Sequence, residues 1–145
     1  MVRKATMADK REIMAMMRDF YDSDAVIAPV ADEHFEKTIE HCLKTDVYAD
    51  LLVCERQGGL AGYALTAKTY SNEAGGMVLW IEELYAKPAF RGTGVGHELL
   101  NELLSHPYAR FRLEIEEENT GAVRLYKSMG FDFFEYDQMI MEVNK

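Results

Sequence analysis

Residues 80–104 read Trp-Ile-Glu-Glu-Leu-Tyr-Ala-Lys-Pro-Ala-Phe-Arg-Gly-Thr-Gly-Val-Gly-His-Glu-Leu-Leu-Asn-Glu-Leu-Leu, and this stretch decides the fold. An apolar run that carries two glutamates predicts a buried strand, which ends before Pro88. Three glycines at alternate positions follow, and after them come leucines at helical spacing. The stretch therefore predicts a strand, a glycine-rich loop and the N-terminus of a helix in direct succession.

The glycine-rich loop at residues 91–96 is typical of an anion-binding site. The first N–H groups of a helix have no partner within it, and the helix dipole favours negative charge at the same end. Glycine lets the backbone approach a phosphate closely, and Arg91 adds a positive charge. We therefore expect a pyrophosphate here. Several strands precede the loop, which disfavours a Rossmann fingerprint, and no Lys-Ser or Lys-Thr follows it, which disfavours a P-loop.

The composition indicates one globular domain over residues 1–145, with 48% hydrophobic and 28% charged residues. A net charge of −9 argues against nucleic acid or an anionic membrane as a partner. It suits a cationic substrate, but solubility is the first explanation of net charge and is favoured over it. We expect no membrane span, since no apolar run is long enough, and no signal peptide. Cys42 and Cys54 lack metal-ligand spacing and indicate buried thiols in the cytoplasm.

The remaining periodicities predict a mixed α/β fold with the order β-α-α-β-β-β-α-β-α-β-β. Thr6 caps the first helix, which carries apolar residues up to Tyr21, and Gly58-Gly59 predicts a hairpin. The other expected helices cover residues 31–43, 94–104 and 120–129, and the expected strands cover 2–5, 50–56, 60–70, 77–86, 110–116, 131–136 and 138–143. The strand–helix–strand unit over 77–116 predicts a parallel fourth and fifth strand in an otherwise antiparallel sheet.

Two runs of this sequence resemble motifs of the N-acetyltransferase (GNAT) family. The run from Glu82 to Gly96 resembles the acetyl-coenzyme A motif of that family. The run from Leu113 through Asn119 and on to Phe131 resembles the motif that follows. The predicted order of strands and helices also resembles the family's, so the likeness covers essentially the whole chain. Residues 82–85, near the end of this strand, resemble the corresponding residues of the diamine and polyamine acetyltransferase branch of the family.

The resemblance implies acetyl-coenzyme A as cosubstrate and assigns its contacts. The pantetheine arm would meet the strand backbone and the residue that starts the last helix, namely Leu84, Tyr85, Ala86 and Asn119. The pyrophosphate would be held by the loop and the N–H of the residue after it, namely Arg91, Gly92, Thr93, Gly94, Val95, Gly96 and His97. Ala86 and His97 depart from the family's common residues, which leaves local contacts there open. We expect no metal, because the histidines lack ligand spacing.

Acetyl transfer to an amine needs a base, because an alkylammonium with a pKa of about 10.4 is neutral in only about one molecule in 2,500 at pH 7. Glu82 and Glu83 lie in the strand beside the loop. Adjacent strand residues point to opposite faces, so at most one faces the acceptor unless a bulge intervenes. The resemblance favours Glu82 as the base and Glu83 as a substrate ligand, and the alternative for Glu83 is a solvated edge charge.

The departing thiolate needs a proton, which the resemblance assigns to Tyr126. The alternative for Tyr126 is an aromatic ring packed on the inner face of its helix. Attack of the amine on the thioester carbonyl gives a tetrahedral oxyanion. We expect a backbone N–H of Leu84 or Tyr85 to donate a hydrogen bond to it.

Acidic residues around the first two helices, among them Asp24 and Glu33, are candidates for attracting the acceptor, although a solvated acidic face explains them equally well. We therefore predict an N-acetyltransferase that acts on a small cationic amine, polyamine-like or aminoglycoside-like, by direct transfer in a ternary complex. Peptide, protein or amino-acid amines are alternative acceptors, and a non-catalytic acetyl-coenzyme A module is an alternative function. The apolar side chains of residues 131–141 predict a homodimer through this region.

Overall fold

The computed structural model describes residues 1–23 and 29–143. Within these ranges a five-stranded sheet has the strand order β1-β2-β3-β4-β5. The strands are β1 (Val2–Lys4), β2 (Ala49–Arg56), β3 (Gly59–Ser71), β4 (Gly76–Ala86) and β5 (Arg110–Leu113), and the α-helices are α1 (Lys10–Tyr21), α2 (Asp32–Lys44), α3 (Val95–Leu104) and α4 (Thr120–Ser128). None of the helices in these ranges has the length and apolar character to cross a membrane.

The predicted mixed sheet is confirmed. Strands β1 to β4 pair antiparallel, and β4 pairs in parallel with β5 after the crossover through α3. Helices α1 and α2 cover one face, where Ile13, Ile39 and Tyr63 belong to one core cluster. Helix α3 covers the other face, where Leu79 and Leu99 belong to a second cluster. The sheet therefore separates two cores, and the functional residues of β4 lie between them.

The start of α1 and the first hairpin follow their local sequence signals. The side chain of Asp9 accepts from the backbone N–H of Thr6 at 2.8 Å, as in a capping box, and a short 3₁₀ turn precedes α1. The hairpin is confirmed, but its central residues are Gln57 (φ 55°) and Gly58 (φ 78°), while Gly59 already pairs with Arg56 in the sheet. Two positive φ angles give the turn whose twist matches the flanking strands.

A β-bulge interrupts β4 at Glu82. Leu65 and Thr66 are consecutive in β3, yet they pair with Glu83 and Ile81 respectively. Glu82 is therefore the extra residue, without an opposite partner in β3. A bulge bends its strand and increases the local twist. The ladder between β4 and β5 stops at the same level, at the pair Ile81 and Leu113.

The predicted strands over residues 131–136 and 138–143 are wrong, because the structure forms no ladder there. The predicted fifth strand over 110–116 is also shorter and ends at Leu113. A cavity of about 390 Å³ separates β5 from the segment 131–138, and Met139 is fully exposed. Alternating apolar residues favour an extended backbone, but a strand also needs a neighbour for its N–H and C=O groups.

Candidate active site

The strands β4 and β5 separate just past their last paired residues and open a cleft. The next residue on β4 is Glu82, and the next after β5 is Glu114. Both carboxylates line a cavity of about 100 Å³ in this opening, together with Leu84, Asn119 and Tyr126. The two catalytic candidates, Glu82 and Tyr126, and two of the cofactor candidates therefore meet in one cleft.

The bulge decides which way the side chains of β4 point. Before it, Leu79 and Ile81 pack in the core under α3, and after it Leu84 packs on that same core. Tyr85 belongs to the core under α1 and α2. In a regular strand Ile81 and Tyr85 would share one face, because they are four residues apart. The bulge reverses this parity and directs Glu83 toward α1.

Glu82 lies exposed at the wall of the cleft, and its pKa is raised above the ordinary value. Desolvation by the surrounding protein is the larger cause, and the negative charge of Glu114 adds to it. A raised pKa makes a carboxylate a stronger base toward an ammonium group. The environment of Glu82 therefore suits proton abstraction.

Glu83 is buried, with 7% of its surface exposed, so the alternative of a solvated edge charge is wrong. Its Oε1 accepts a hydrogen bond from the hydroxyl of Tyr63 at 2.8 Å, and its Oε2 accepts one from Tyr21. Burial raises its pKa, while both tyrosine hydroxyls oppose that shift. Glu83 also borders the cleft cavity, but both of its oxygens already have protein donors.

Tyr126 is half-buried on α4, and its ring packs against Phe131 with 5.8 Å between centroids. Burial raises the pKa of its hydroxyl to about 12. The raised pKa makes the phenol a weaker acid, and the protonated hydroxyl lines the cleft at neutral pH. The packed ring and the donor hydroxyl are compatible, since the ring fixes where the hydroxyl points.

The glycine loop has the geometry of an open anion site. Gly92 and Gly94 adopt φ angles of 78° and 91°, which L side chains rarely adopt. A Cβ at either position would meet no atom within 4 Å, so the site is open above both. The N–H groups of Val95, Gly96 and His97 begin α3, and no backbone acceptor takes them within the part of the chain that the structure describes.

Two arginines flank this loop, and the sequence pattern predicted only Arg91. Arg56 donates to Oγ1 of Thr93 at 3.1 Å and to Glu98 at 2.8 Å. It fixes the loop from the end of β2. Arg91, a predicted pyrophosphate ligand, donates through Nε to the carbonyl of Ala86 at 3.1 Å. Its guanidinium lies 5.7 Å from the centroid of the Tyr85 ring.

The predicted acceptor ligands are only partly brought together. Glu33 is exposed in the first turn of α2 and is not among the residues that line the cleft cavity, and Asp24 lies outside the described residues. Glu114 and Phe20 do line it and were not predicted as site residues. Glu114 reaches the cavity through the parallel register of β4 and β5, and Phe20 reaches it through the packing of α1 on the sheet, neither of which periodicity determines.

Known proteins resemble this chain in sequence. The model of the Acetyltransferase (GNAT) family matches residues 12–131. Thialysine N-epsilon-acetyltransferase of Mus musculus is 30% identical over 142 residues, which cover 89% of this chain and 82% of that protein. Spermine/spermidine N(1)-acetyltransferase of Bacillus subtilis (strain 168) is 29% identical over 84 residues, covering 53% of this chain and 55% of that protein.

Solved structures share the fold at lower identity. A possible acetyltransferase from Clostridium difficile 630 aligns with a TM-score of 0.84 at 19% identity, covering 100% of this chain and 98% of that one. An aminoglycoside N-acetyltransferase in complex with CoA aligns with a TM-score of 0.80 at 16% identity. The alignment covers 98% of this chain and 93% of that one. The sequence motifs, the fold and these matches together show that the chain is an N-acetyltransferase that belongs to the GNAT family.

Proposed function

We propose that this protein transfers the acetyl group of acetyl-coenzyme A to a primary amine of a small cationic acceptor, directly and in a ternary complex. The observation that carries the proposal is the common cavity of Glu82 and Tyr126, a carboxylate with a raised pKa and a protonated phenol, at the separation of β4 and β5. A base and an acid in one cleft are what amine acetylation needs.

The cofactor candidates fit acetyl-coenzyme A. The open N–H groups of Val95, Gly96 and His97 and the left-handed Gly92 and Gly94 suit a pyrophosphate. Within the described residues the ladder of β4 with β5 ends at Ile81, so the backbone of Leu84 and Tyr85 has no β5 partner and suits the amides of a pantetheine arm. The carbonyl of Ala86 already accepts from Arg91, which leaves its N–H as the group to consider there. Asn119 lines the same cleft. When bound, acetyl-coenzyme A supplies the acetyl group as an activated thioester.

Glu82 would take the proton from the acceptor ammonium, directly or through a water molecule. Its raised pKa reduces the difference from the pKa of the amine, and the transfer becomes less unfavourable. Tyr126 would give a proton to the departing sulfur of coenzyme A, whose thiol pKa lies near 8.5 if judged from cysteine, and its phenolate would regain a proton from the acetylated nitrogen. Because burial raises the pKa of Tyr126 further above that of the thiol, the first transfer is unfavourable by itself and depends on this return of a proton.

The charge of the cleft supports a cationic acceptor. Four carboxylates line the cavity, namely Glu82, Glu83, Glu114 and Glu116. The whole chain carries a net charge of −9. Negative potential in a cleft raises the local concentration of cations. The names of two relatives, which specify thialysine and spermine or spermidine, are consistent with amines that carry more than one positive charge.

We also propose that the protein forms a homodimer and is located in the cytoplasm. Ile140 and Met141 are 84% and 82% exposed, and burial of such side chains favours a homodimer through this segment. Sedimentation that gives a monomer mass at every concentration would contradict the homodimer. The net charge favours neither nucleic acid nor membrane as a partner, and the two free cysteines suit the cytoplasm.

The test is the release of coenzyme A thiol from acetyl-coenzyme A across polyamines, thialysine, aminoglycosides, amino acids and short peptides. We expect saturable turnover with a multiply charged amine and little with a monoamine of similar length, which keeps the acceptor group but carries a single positive charge. Calorimetric binding of acetyl-coenzyme A is measured in parallel. Binding without turnover on any amine would support a non-catalytic module instead. Faster turnover with peptides than with small amines would show that the acceptor is a peptide amine and not a small cationic amine.

A further inference from the structure

The last turn of α1 links the cofactor loop to the cleft. The hydroxyl of Tyr85 donates to Oδ2 of Asp19, and the hydroxyl of Tyr21 donates to Oε2 of Glu83. Phe20, between them in sequence, lines the cleft cavity and lies edge-on to the Tyr85 ring with 6.4 Å between centroids. Three consecutive residues of α1 therefore contact successive parts of the candidate site.

Asp19 also contacts the arginine of the cofactor loop. The Nη2 of Arg91 lies 4.0 Å from Oδ2 of Asp19. The ring of Tyr85 and the carbonyl of Ala86 hold the same guanidinium from two other sides. The cation that the proposed function assigns to the pyrophosphate is thus already paired with a carboxylate of the protein.

We infer that Asp19 is a positioning residue of the cofactor site: its carboxylate retains Arg91 over the Tyr85 ring, and the pyrophosphate of acetyl-coenzyme A competes with it for the guanidinium. The inference rests on the proposed function, because it requires a pyrophosphate at the glycine loop. Asp19 then weakens cofactor binding by holding the cation that the phosphates would otherwise engage. This role needs no contact between Asp19 and the reacting atoms.

The exposure of the Asp19 and Arg91 side chains limits how much their pairing changes cofactor affinity. The side chains of Asp19 and Arg91 are 54% and 58% exposed, so water screens their attraction. An exposed pair of this kind changes an equilibrium by about twofold to fivefold. Tyr85 keeps the carboxylate in place, since its hydroxyl has a pKa raised to about 12 and remains a donor at neutral pH.

The test compares the dissociation constant of acetyl-coenzyme A for the wild type, Asp19→Asn, Asp19→Ala and Asp22→Asn by calorimetry. Asp22 is the matched control, because it is exposed at the end of the same helix and its pair is Arg18 instead of Arg91. We expect both Asp19 variants to bind about twofold to fivefold more tightly, and Asp22→Asn to bind as the wild type does. Circular dichroism confirms that each variant is folded.

Two further measurements separate competition for Arg91 from a general structural effect. The gain from Asp19→Asn should disappear in an Arg91→Ala background, as a double-mutant cycle measures. In turnover, the KM for acetyl-coenzyme A should fall, whereas kcat and the KM for acetyl-pantetheine, which lacks the pyrophosphate, should not change.

Equal or weaker binding by both Asp19 variants would overturn the inference, and so would a gain that persists without Arg91. A wild type that binds no acetyl-coenzyme A would instead refute the proposed function, and the inference with it. A wild type that binds and turns over normally, with Asp19 variants that bind equally well, refutes the role of Asp19 alone.

Discussion

Glu82 and Glu114 are the first residues beyond the last paired positions of two parallel strands, and both line the cavity where those strands separate. Ile81 and Leu113 are the final pair of the ladder. Desolvation raises the pKa of Glu82 most, and the charge of Glu114 raises it further. The basicity of the proposed base therefore depends on a neighbour that lies more than thirty residues further along the chain.

Replacement of Glu114 by Gln should lower the pKa of Glu82, because it removes a nearby negative charge that favours the protonated form. Glu82 must be deprotonated to accept a proton, so kcat/KM rises as pH increases through its pKa. We expect the acid limb of the pH profile of kcat/KM to move to lower pH. Glu117→Gln is the control, since Glu117 is exposed and not among the cavity-lining residues. An unmoved limb would show that another group limits the reaction.

Replacement of Tyr126 by Phe should lower kcat by about 100-fold or more, because general acid catalysis contributes on that scale. The phenyl ring of the variant keeps the contact with Phe131. The dissociation constant of acetyl-coenzyme A should therefore stay within about twofold of the wild-type value. Turnover and calorimetry are measured on the same preparations. Tyr108→Phe is the matched control on another aromatic pair. A normal kcat of the Tyr126→Phe variant would show that Tyr126 packs against the core without acting as the acid.

Replacement of Gly94 by Ala should weaken binding of acetyl-coenzyme A, because φ 91° at the start of α3 strains any L side chain and displaces the loop amides. Gly58→Ala is the matched control, because Gly58 has φ 78° and no atom within 4 Å of a Cβ, but lies in the hairpin after β2. Both variants should lose about 1 kcal/mol of unfolding free energy in urea titrations. Only Gly94→Ala should lose cofactor affinity, and equal affinities would contradict the role of the loop.

Replacement of Asp9 by Asn should destabilise the protein near neutral pH. Arg3 holds the pKa of Asp9 down to about 2, against an ordinary value of 3.8, through hydrogen bonds at 2.7 and 2.9 Å. A lowered pKa stabilises the folded state above the unfolded pKa, and the contribution is lost as pH falls from about 4 to about 2. We expect a loss of about 2 kcal/mol at pH 7, measured by denaturant unfolding. The difference between variant and wild type should shrink at pH 2, and a constant difference would exclude the ion pair as its cause.

The local part of the site could be predicted from the sequence. Glycines at positions 92, 94 and 96, followed by a leucine-rich helix, specify a loop and a helix start within a few residues. Free N–H groups at that helix start follow from helix geometry alone. The hairpin and the capping box are local for the same reason, and the parallel crossover follows from chain connectivity.

What the tertiary structure decided depends on pairing between distant segments. The bulge at Glu82 exists only relative to its partners in β3, and it turns Glu83 toward the tyrosines of α1 and β3. Glu114 reaches the site only through the parallel register of β4 and β5. The alternating tail at residues 131–143 has strand-like sequence but pairs with no strand in the described chain. Periodicity describes one segment at a time, whereas a sheet is defined by hydrogen bonds between segments, so these features required the fold.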